Sequence, residues 1–238
     1  MLHTTSSETA VAYEKHGCFL FKMGTITALS AQKKSSDRVN VYLDGEFAFG
    51  LAYSAAANLR VGQMLSPTEI TALQAQDTAE KAYASAARLL AHRPRSQAEI
   101  QRQLQTKGYS QAVIDQVVAR LTAVDLINDE QFARYWIEQR ETFRPRGHLA
   151  LRQELQQKGI AATIIEAALA TVDEVGAAEQ LAEKKAHQLA GLPEMEFKRK
   201  LSQYLQRRGF PYESIRTVVE VFWTAVGLPA STSYNNSQ

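Results

Sequence analysis

Apolar positions alternate with polar ones from Thr25 to Phe49 and, from Ser66 onward, recur every three or four residues, so the chain predicts a small β-sheet followed by helices. The alternating runs are Ile26, Ala28 and Leu29, then Val39, Val41 and Leu43, then Phe47 and Phe49, with Asp44-Gly45 between the last two. Asp-Gly in that setting predicts an antiparallel hairpin, because a type I′ turn needs positive φ at both central positions. Lys33-Lys34 ahead of Ser35-Ser36-Asp37 marks the first connection as a polar turn with solvated lysines. Ser66-Pro67-Thr68-Glu69 opens a helix: a serine cap, proline at the first helical position and a glutamate three residues after the cap. Gln74-Ala-Gln-Asp77 reads as a joint between the sheet module and the rest.

The helical part repeats itself. Leu104-Gln-Thr-Lys107-Gly108-Tyr109, Leu155-Gln-Gln-Lys158-Gly159-Ile160 and Leu205-Gln-Arg-Arg208-Gly209-Phe210 align, with glycines 51 and then 50 residues apart. Eight residues before each glycine stand Ile100, Leu151 and Leu201; six after it Ile114, Ile165 and Ile215; ten after it Val118, Leu169 and Val219. These spacings predict core positions. Each middle helix ends in a cation that suits the negative helix end and a glycine that takes the left-handed cap, and the next apolar residue turns into the core. A further helix follows from about Ser110, Ala161 and Pro211, with Pro211 in its first turn. Helices over Ala79–His92, Asp129–Thr142 and Val175–Leu189 come before. Ser96-Gln-Ala-Glu99 is a capping box, and Pro94 breaks the helix ahead of it.

The expected fold is therefore mainly α, an elongated tandem array of three-helix repeats with a small amino-terminal antiparallel sheet. Residues 1–23 form a flexible arm, 24–76 the sheet module with its helix, 77–127, 128–173 and 174–226 the repeats, and 227–238 a flexible tail. Units this small bury little alone and gain stability from their neighbours; a row of them offers a long concave face suited to gripping a partner.

Composition leaves this picture standing and narrows the chemistry. Apolar residues make up 45% and charged residues 22% of 238, as in ordinary globular chains, which excludes disorder throughout. Cys18-Phe-Leu-Phe21 is far too short to span a bilayer, and the single cysteine, Cys18, gives no disulfide framework, so a reducing cytoplasm is expected. Net charge is +2, and residues 76–173 carry 13 basic against 12 acidic groups, so a basic surface must come from sorting charges onto faces.

The sorting follows the repeat. Arg88, Arg93, Arg95, Arg102 and Lys107 gather around the middle helix of the first repeat, with Glu99 the acid there. Arg134, Arg140, Arg144, Arg146, Arg152 and Lys158 do so in the second, against Glu138, Glu141 and Glu154. Lys198, Arg199, Lys200, Arg207 and Arg208 fall within eleven acid-free residues of the third. The final helices lean acidic. Stacked in register, the middle helices present a discontinuous basic stripe suited to phosphates or an acidic protein groove, against the alternative of cations decorating solvated helix faces. Two helices meeting at a glycine also resemble a helix-turn-helix, but three tandem units with unlike surface residues lack the half-site logic of groove readers.

Catalytic signatures are missing. His3, His16, His92, His148 and His187 are scattered with no ligand-pair spacing, and Arg146-Gly147-His148 is no phosphate loop. No enzyme activity, metal or cofactor is expected. Trp136 and Trp223 sit in helical apolar patterns, read as core packing over base stacking.

Ala86-Ala-Arg-Leu-Leu-Ala91 through Arg93-Pro-Arg-Ser96, the Leu-x-x-Lys-Gly joints, Leu126-Ile-Asn-Asp-Glu-Gln-Phe-Ala133 and Arg152-Gln-Glu-Leu-Gln-Gln-Lys-Gly-Ile160 together resemble the bacterial RecX regulatory family. Asp37-Arg-Val-Asn-Val-Tyr-Leu-Asp-Gly-Glu-Phe-Ala-Phe-Gly50 is similar to the amino-terminal extension of its longer members, and the resemblance runs from about Gly24 to Val226. It implies a non-catalytic modulator that binds the groove of RecA filaments on single-stranded DNA and inhibits filament growth, ATP hydrolysis and strand exchange. The alternative is a stand-alone helical nucleic-acid-binding protein, touching single- or double-stranded DNA directly. Either way the protein is expected to be a cytoplasmic monomer with no membrane partner. One departure stands out: members often have proline and basic residues after the glycine matched by Gly147, where this chain has His148-Leu149-Ala150. The candidate contact residues for filament or DNA are Arg88, Arg93, Arg95, Arg102, Lys107, Arg140, Arg144, Arg146, Arg152, Lys158, Lys198, Arg199, Lys200, Arg207 and Arg208.

Overall fold

The structure, a computed structural model, describes residues 23–32 and 35–227. The predicted arm and tail, Met23 and Gly227 apart, lie outside these residues, as does the Lys33-Lys34 turn. The chain divides into two compact units, Met1–Glu80 and Lys81–Gln238.

The first unit contains β1 (Gly24–Gln32), β2 (Ser35–Leu43), β3 (Glu46–Ala52), α1 (Tyr53–Ala56), β4 (Met64–Leu65) and the opening turns of α2 (Pro67–His92). The strands form one antiparallel sheet in the order β3-β2-β1-β4. The hairpin turns where Asp-Gly predicted, with φ of 50° at Asp44 and 89° at Gly45, the positive values a type I′ turn demands. Val41 pairs with Leu29 on one side and Phe49 on the other, so the alternating residues share a face. That face buries Ile26, Val41, Leu51 and Leu65, with Ile70 and Leu73 of α2 packed against it.

The capping box at α2 closes reciprocally: Ser66 N–H donates to Glu69 Oε2 at 2.7 Å, and Glu69 N–H to Ser66 Oγ at 3.3 Å. From there α2 is unbroken to His92, so the joint expected at Gln74–Asp77 lies inside a helix. Asp77 is 3% exposed and belongs to the sheet unit, accepting from Arg38 Nη2 at 3.0 Å and Ala52 N–H at 3.1 Å. Two long-range bonds to one carboxylate hold this turn against the strands, which moves the division of the chain a few residues beyond the sequence estimate.

The second unit contains the rest of α2, then α3 (Gln97–Thr106), α4 (Gln111–Ala123), α5 (Asp129–Phe143), α6 (His148–Gln157), α7 (Ala162–Leu169), α8 (Glu174–Leu189), α9 (Glu194–Gln206) and α10 (Tyr212–Phe222). It is three repeats of three helices. Each encloses its own apolar cluster, and the aligned positions fill all three: Leu104, Leu155 and Leu205 are 0% exposed, as are Ile100, Leu151 and Leu201.

The glycine turns have one geometry. Gly108, Gly159 and Gly209 have φ of 83°, 80° and 83°. Their N–H groups donate to Gln105, Gln156 and Gln206 O at 2.9 Å, and the following Tyr109, Ile160 and Phe210 N–H reach back to Leu104, Leu155 and Leu205 O. This is the double bond pattern of a left-handed helix stop, which satisfies carbonyls the helix end leaves open. Ile160 and Phe210 are buried as expected, whereas Tyr109 is only half-buried, its turn having nothing within 4 Å of an added Cβ on Gly108. Pro211 caps α10 from outside, with extended ψ of 159°, instead of occupying its first turn.

Candidate functional site

The three cores are separate, so what joins the repeats is the contact between helix ends. In two places the start of one middle helix meets the glycine turn that ends the next repeat's middle helix. Its free N–H groups thus face carbonyls that helix termini leave unpaired, with the helix dipoles head to tail.

At the first junction, α3 meets the end of α6. Ser96, which caps α3 by accepting from Glu99 N–H, donates its hydroxyl to Lys158 O at 2.7 Å. Gln97 N–H donates to Asp129 Oδ1 at 2.8 Å, and burial pushes the Asp129 carboxyl up against the lowering effect of that bond. An added Cβ on Gly159 would lie 2.4 Å from Ala98 Cβ. Glu99 does not close the predicted capping box; its carboxylate takes Arg93 Nη1 at 3.0 Å, Arg93 Nη2 at 3.3 Å and Lys158 Nζ at 2.7 Å. Burial pushes the Glu99 carboxyl up, but the hydrogen bonds and charges of Arg93 and Lys158 outweigh it and hold it at about 2.

At the second junction, α6 meets the end of α9. Here Gly147 replaces the serine cap and its own N–H donates to Arg208 O at 3.0 Å, followed by Leu149 N–H to Gly209 O at 3.1 Å. His148 N–H donates to Glu174 Oε1 at 2.7 Å, as Gln97 does to Asp129, and His148 Nδ1 lies 3.2 Å from Glu174 Oε2. The backbones touch, since a Cβ on Gly147 would fall 2.3 Å from Gly209 O.

Among the described residues seven of the fifteen predicted cations pair with acids, six of them with an acid outside their own helix. Arg140 Nε binds Glu154 at 2.6 Å, Arg146 Nε lies 3.8 Å from the same carboxylate, and Arg152 grips Glu166 with two bonds of 2.8 Å. The stretch from Lys198 to Arg208 is acid-free in sequence, yet Lys198 pairs with Glu194 and Glu220 and Lys200 with Glu196. The bonds and charges of these acids push the Lys198 ammonium up. Arg95 Nε donates to Leu89 O, Arg102 to Ala98 O and Gln157 O, and Lys107 Nζ to Ser85 Oγ. Arg88, Arg144, Arg199 and Arg207 are exposed and form no ion pair among the described residues. Trp136 packs on Phe132 in the second core while its indole N–H donates to Glu154 Oε2, and Arg140 and Lys158 lie over its ring at 4.6 and 4.7 Å. Trp223 packs on Phe197.

Three of the predicted cations converge. Arg144, Arg146 and Arg208 line a cleft of about 820 Å³ at the second junction, joined by Lys184, Glu183 and Tyr204, with Phe143, Pro145 and Leu181 as apolar wall. Lys184, Leu181 and Tyr204 were not singled out from sequence, although Lys184 and Tyr204 come from the third repeat whose basic run was noticed. Among the described residues no three His, Cys, Asp or Glu side chains are grouped to hold a metal. No described helix is long and apolar enough to cross a membrane.

Comparison with known proteins agrees with this architecture. Family models described as the RecX N-terminal domain and the first, second and third RecX three-helix domains match residues 24–66, 82–121, 128–169 and 173–219. The chain is 31% identical over 203 residues to a regulatory protein RecX of Leuconostoc citreum, covering 83% of this chain and 76% of that one. It is 32% identical over 206 residues to that of Geobacillus kaustophilus, covering 83% and 77%. A crystal structure of regulatory protein RecX superposes with a TM-score of 0.70 at 27% identity, over 83% of this chain and 99% of that one. RecX from Lactobacillus salivarius superposes with a TM-score of 0.58 over 62% and 97%.

Proposed function

The chain belongs to the RecX family of regulatory proteins, and from that premise we propose that it is a non-catalytic modulator of the RecA recombinase. In this reading the three helical repeats form an elongated cytoplasmic monomer that lies in the groove of RecA filaments on single-stranded DNA. There it inhibits filament growth, ATP hydrolysis and strand exchange. The observation that carries the reading is the set of exposed arginines of the repeats that pair with no acid among the described residues: Arg88, Arg144, Arg199 and Arg207, at least one in every repeat. Unpaired exposed cations cost little to bring to an anionic partner, whereas Arg152 or Lys198 must first give up a carboxylate.

The test is titration of the full chain into RecA bound to single-stranded DNA at low salt. ATP hydrolysis and filament length are expected to fall, and the triple variant Arg88→Glu/Arg199→Glu/Arg207→Glu to weaken this while far-UV circular dichroism stays that of the wild type. Unchanged hydrolysis and filament length with the wild-type chain overturns the reading.

A further inference from the structure

We propose that the cleft at the second junction is a receptor for a carboxylate side chain on an acidic, partly apolar segment of a partner protein, which takes the place that Glu99 fills at the first junction. Aligned on the repeat glycines, Arg93 and Arg144 each lie fifteen residues before the glycine, Glu99 and Ala150 each nine, and Lys158 and Arg208 each directly precede it. Glu99 and Ala150 are both the third residue of their helices. At the first junction the Glu99 carboxylate gathers Arg93 and Lys158 at 2.7 to 3.3 Å. At the second the aligned cation positions are occupied, by Arg144 and Arg208, and the residue aligned with Glu99 is Ala150, which packs against Gly209 beside the cleft and offers no carboxylate.

The cleft is thus the cationic half of a motif in which the described residues place no carboxylate at the position aligned with Glu99. Arg208 lies over the Tyr204 ring at 5.3 Å, Arg144 is exposed, and Lys184 adds a third positive charge. Arg146 is balanced by Glu154, and Glu183 is the acid in the wall. An arginine and a second cation around one carboxylate form charge-assisted bonds of the kind seen at Glu99. The walls favour a peptide over a polynucleotide: Phe143, 72% exposed, Pro145 and Leu181 give an apolar neighbour somewhere to pack, and Glu183 repels a strand carrying a charge at every residue. That the partner is the RecA filament rests on the reading above; the chemistry of the cleft does not.

The probe is a fluorescein-labelled peptide of alternating glutamate and leucine, with labelled oligothymidylate as the second arm, each followed by anisotropy against the full chain. The peptide is expected to bind, and Arg144→Gln/Arg208→Gln to weaken it by roughly tenfold or more. No peptide binding by the wild type, or equal binding by the glutamine variant, overturns the proposal. So does oligothymidylate binding that the glutamine variant loses while the peptide fails to compete, which makes the cleft a nucleic-acid site. Peptide binding without any effect on RecA hydrolysis leaves the cleft assignment standing and removes the filament reading.

Discussion

The two junctions between repeats use one acceptor and two donors. Lys158 O is reached by the hydroxyl of Ser96, whereas Arg208 O, its counterpart, is reached by the backbone N–H of Gly147. A side chain at the cap keeps the two helix ends apart and leaves room for Glu99 to insert between them; removing it lets backbone meet backbone. The first joint is therefore held by side-chain charge and the second by main-chain fit. The same bond can be specified by a hydroxyl or by its absence, and what changes is how much surface charge remains unspent.

The largest expected effect comes from the helix that serves both joints. Leu155 is 0% exposed in α6, and Leu155→Asp puts a charge into the second core, a loss of about 4 kcal/mol or more that should release both junctions together. Hydrogen exchange at Gly147 and Gln97 amides reads this; continued protection of either would mean the joints do not depend on α6.

The glycine turns sharpen the contrast next. Alanine at any of them adopts a left-handed φ that costs roughly 1–2 kcal/mol. Gly108→Ala should cost little more, as nothing lies within 4 Å. Gly159→Ala also pushes Ala98 Cβ, and Gly209→Ala pushes Ala150 backbone N at 2.6 Å, which a main chain cannot yield, for a total of about 3–4 kcal/mol. Urea midpoints should fall in the order Gly108, Gly159, Gly209; equal losses would break the claim that the joints are close-packed.

Ser96→Ala removes a cap and a buried partner of Lys158 O, a loss of about 2 kcal/mol by the same measurement, with the second junction unaffected. The smallest effect separates the joints by pH. The folded Glu99 carboxyl, at about 2, lies below its ordinary value of 4.5, so its ionised form contributes stability above 4.5 that is lost as pH falls from there through about 2. Glu99→Gln should flatten that part of the urea-midpoint profile, and an unchanged profile would remove Glu99 from the first joint.

Local patterns revealed the repeats because the repeats are local. Leu104, Gly108 and Ile114, with their counterparts, encode a helix, its stop and the next helix within a few turns, and Asp44-Gly45 encodes its hairpin in two residues. The joints were hidden because their partners are distant: Ser96 and Lys158 are 62 positions apart, Glu99 and Lys158 59. The pairing of the basic residues was hidden for the same reason, since Glu220 reaches Lys198 from another helix, 22 positions on. The cleft was half legible, as Arg144, Arg146 and Arg208 were singled out for their charge. The alanine aligned with Glu99, Ala150, stands out only when the repeats are laid over one another.

Because each repeat keeps a private core and shares only helix ends with its neighbours, tension applied to the helical unit falls on a few amide and hydroxyl links before any oily interior is opened. Such a molecule is expected to give way joint by joint under load, with the interior of each repeat the last part to open.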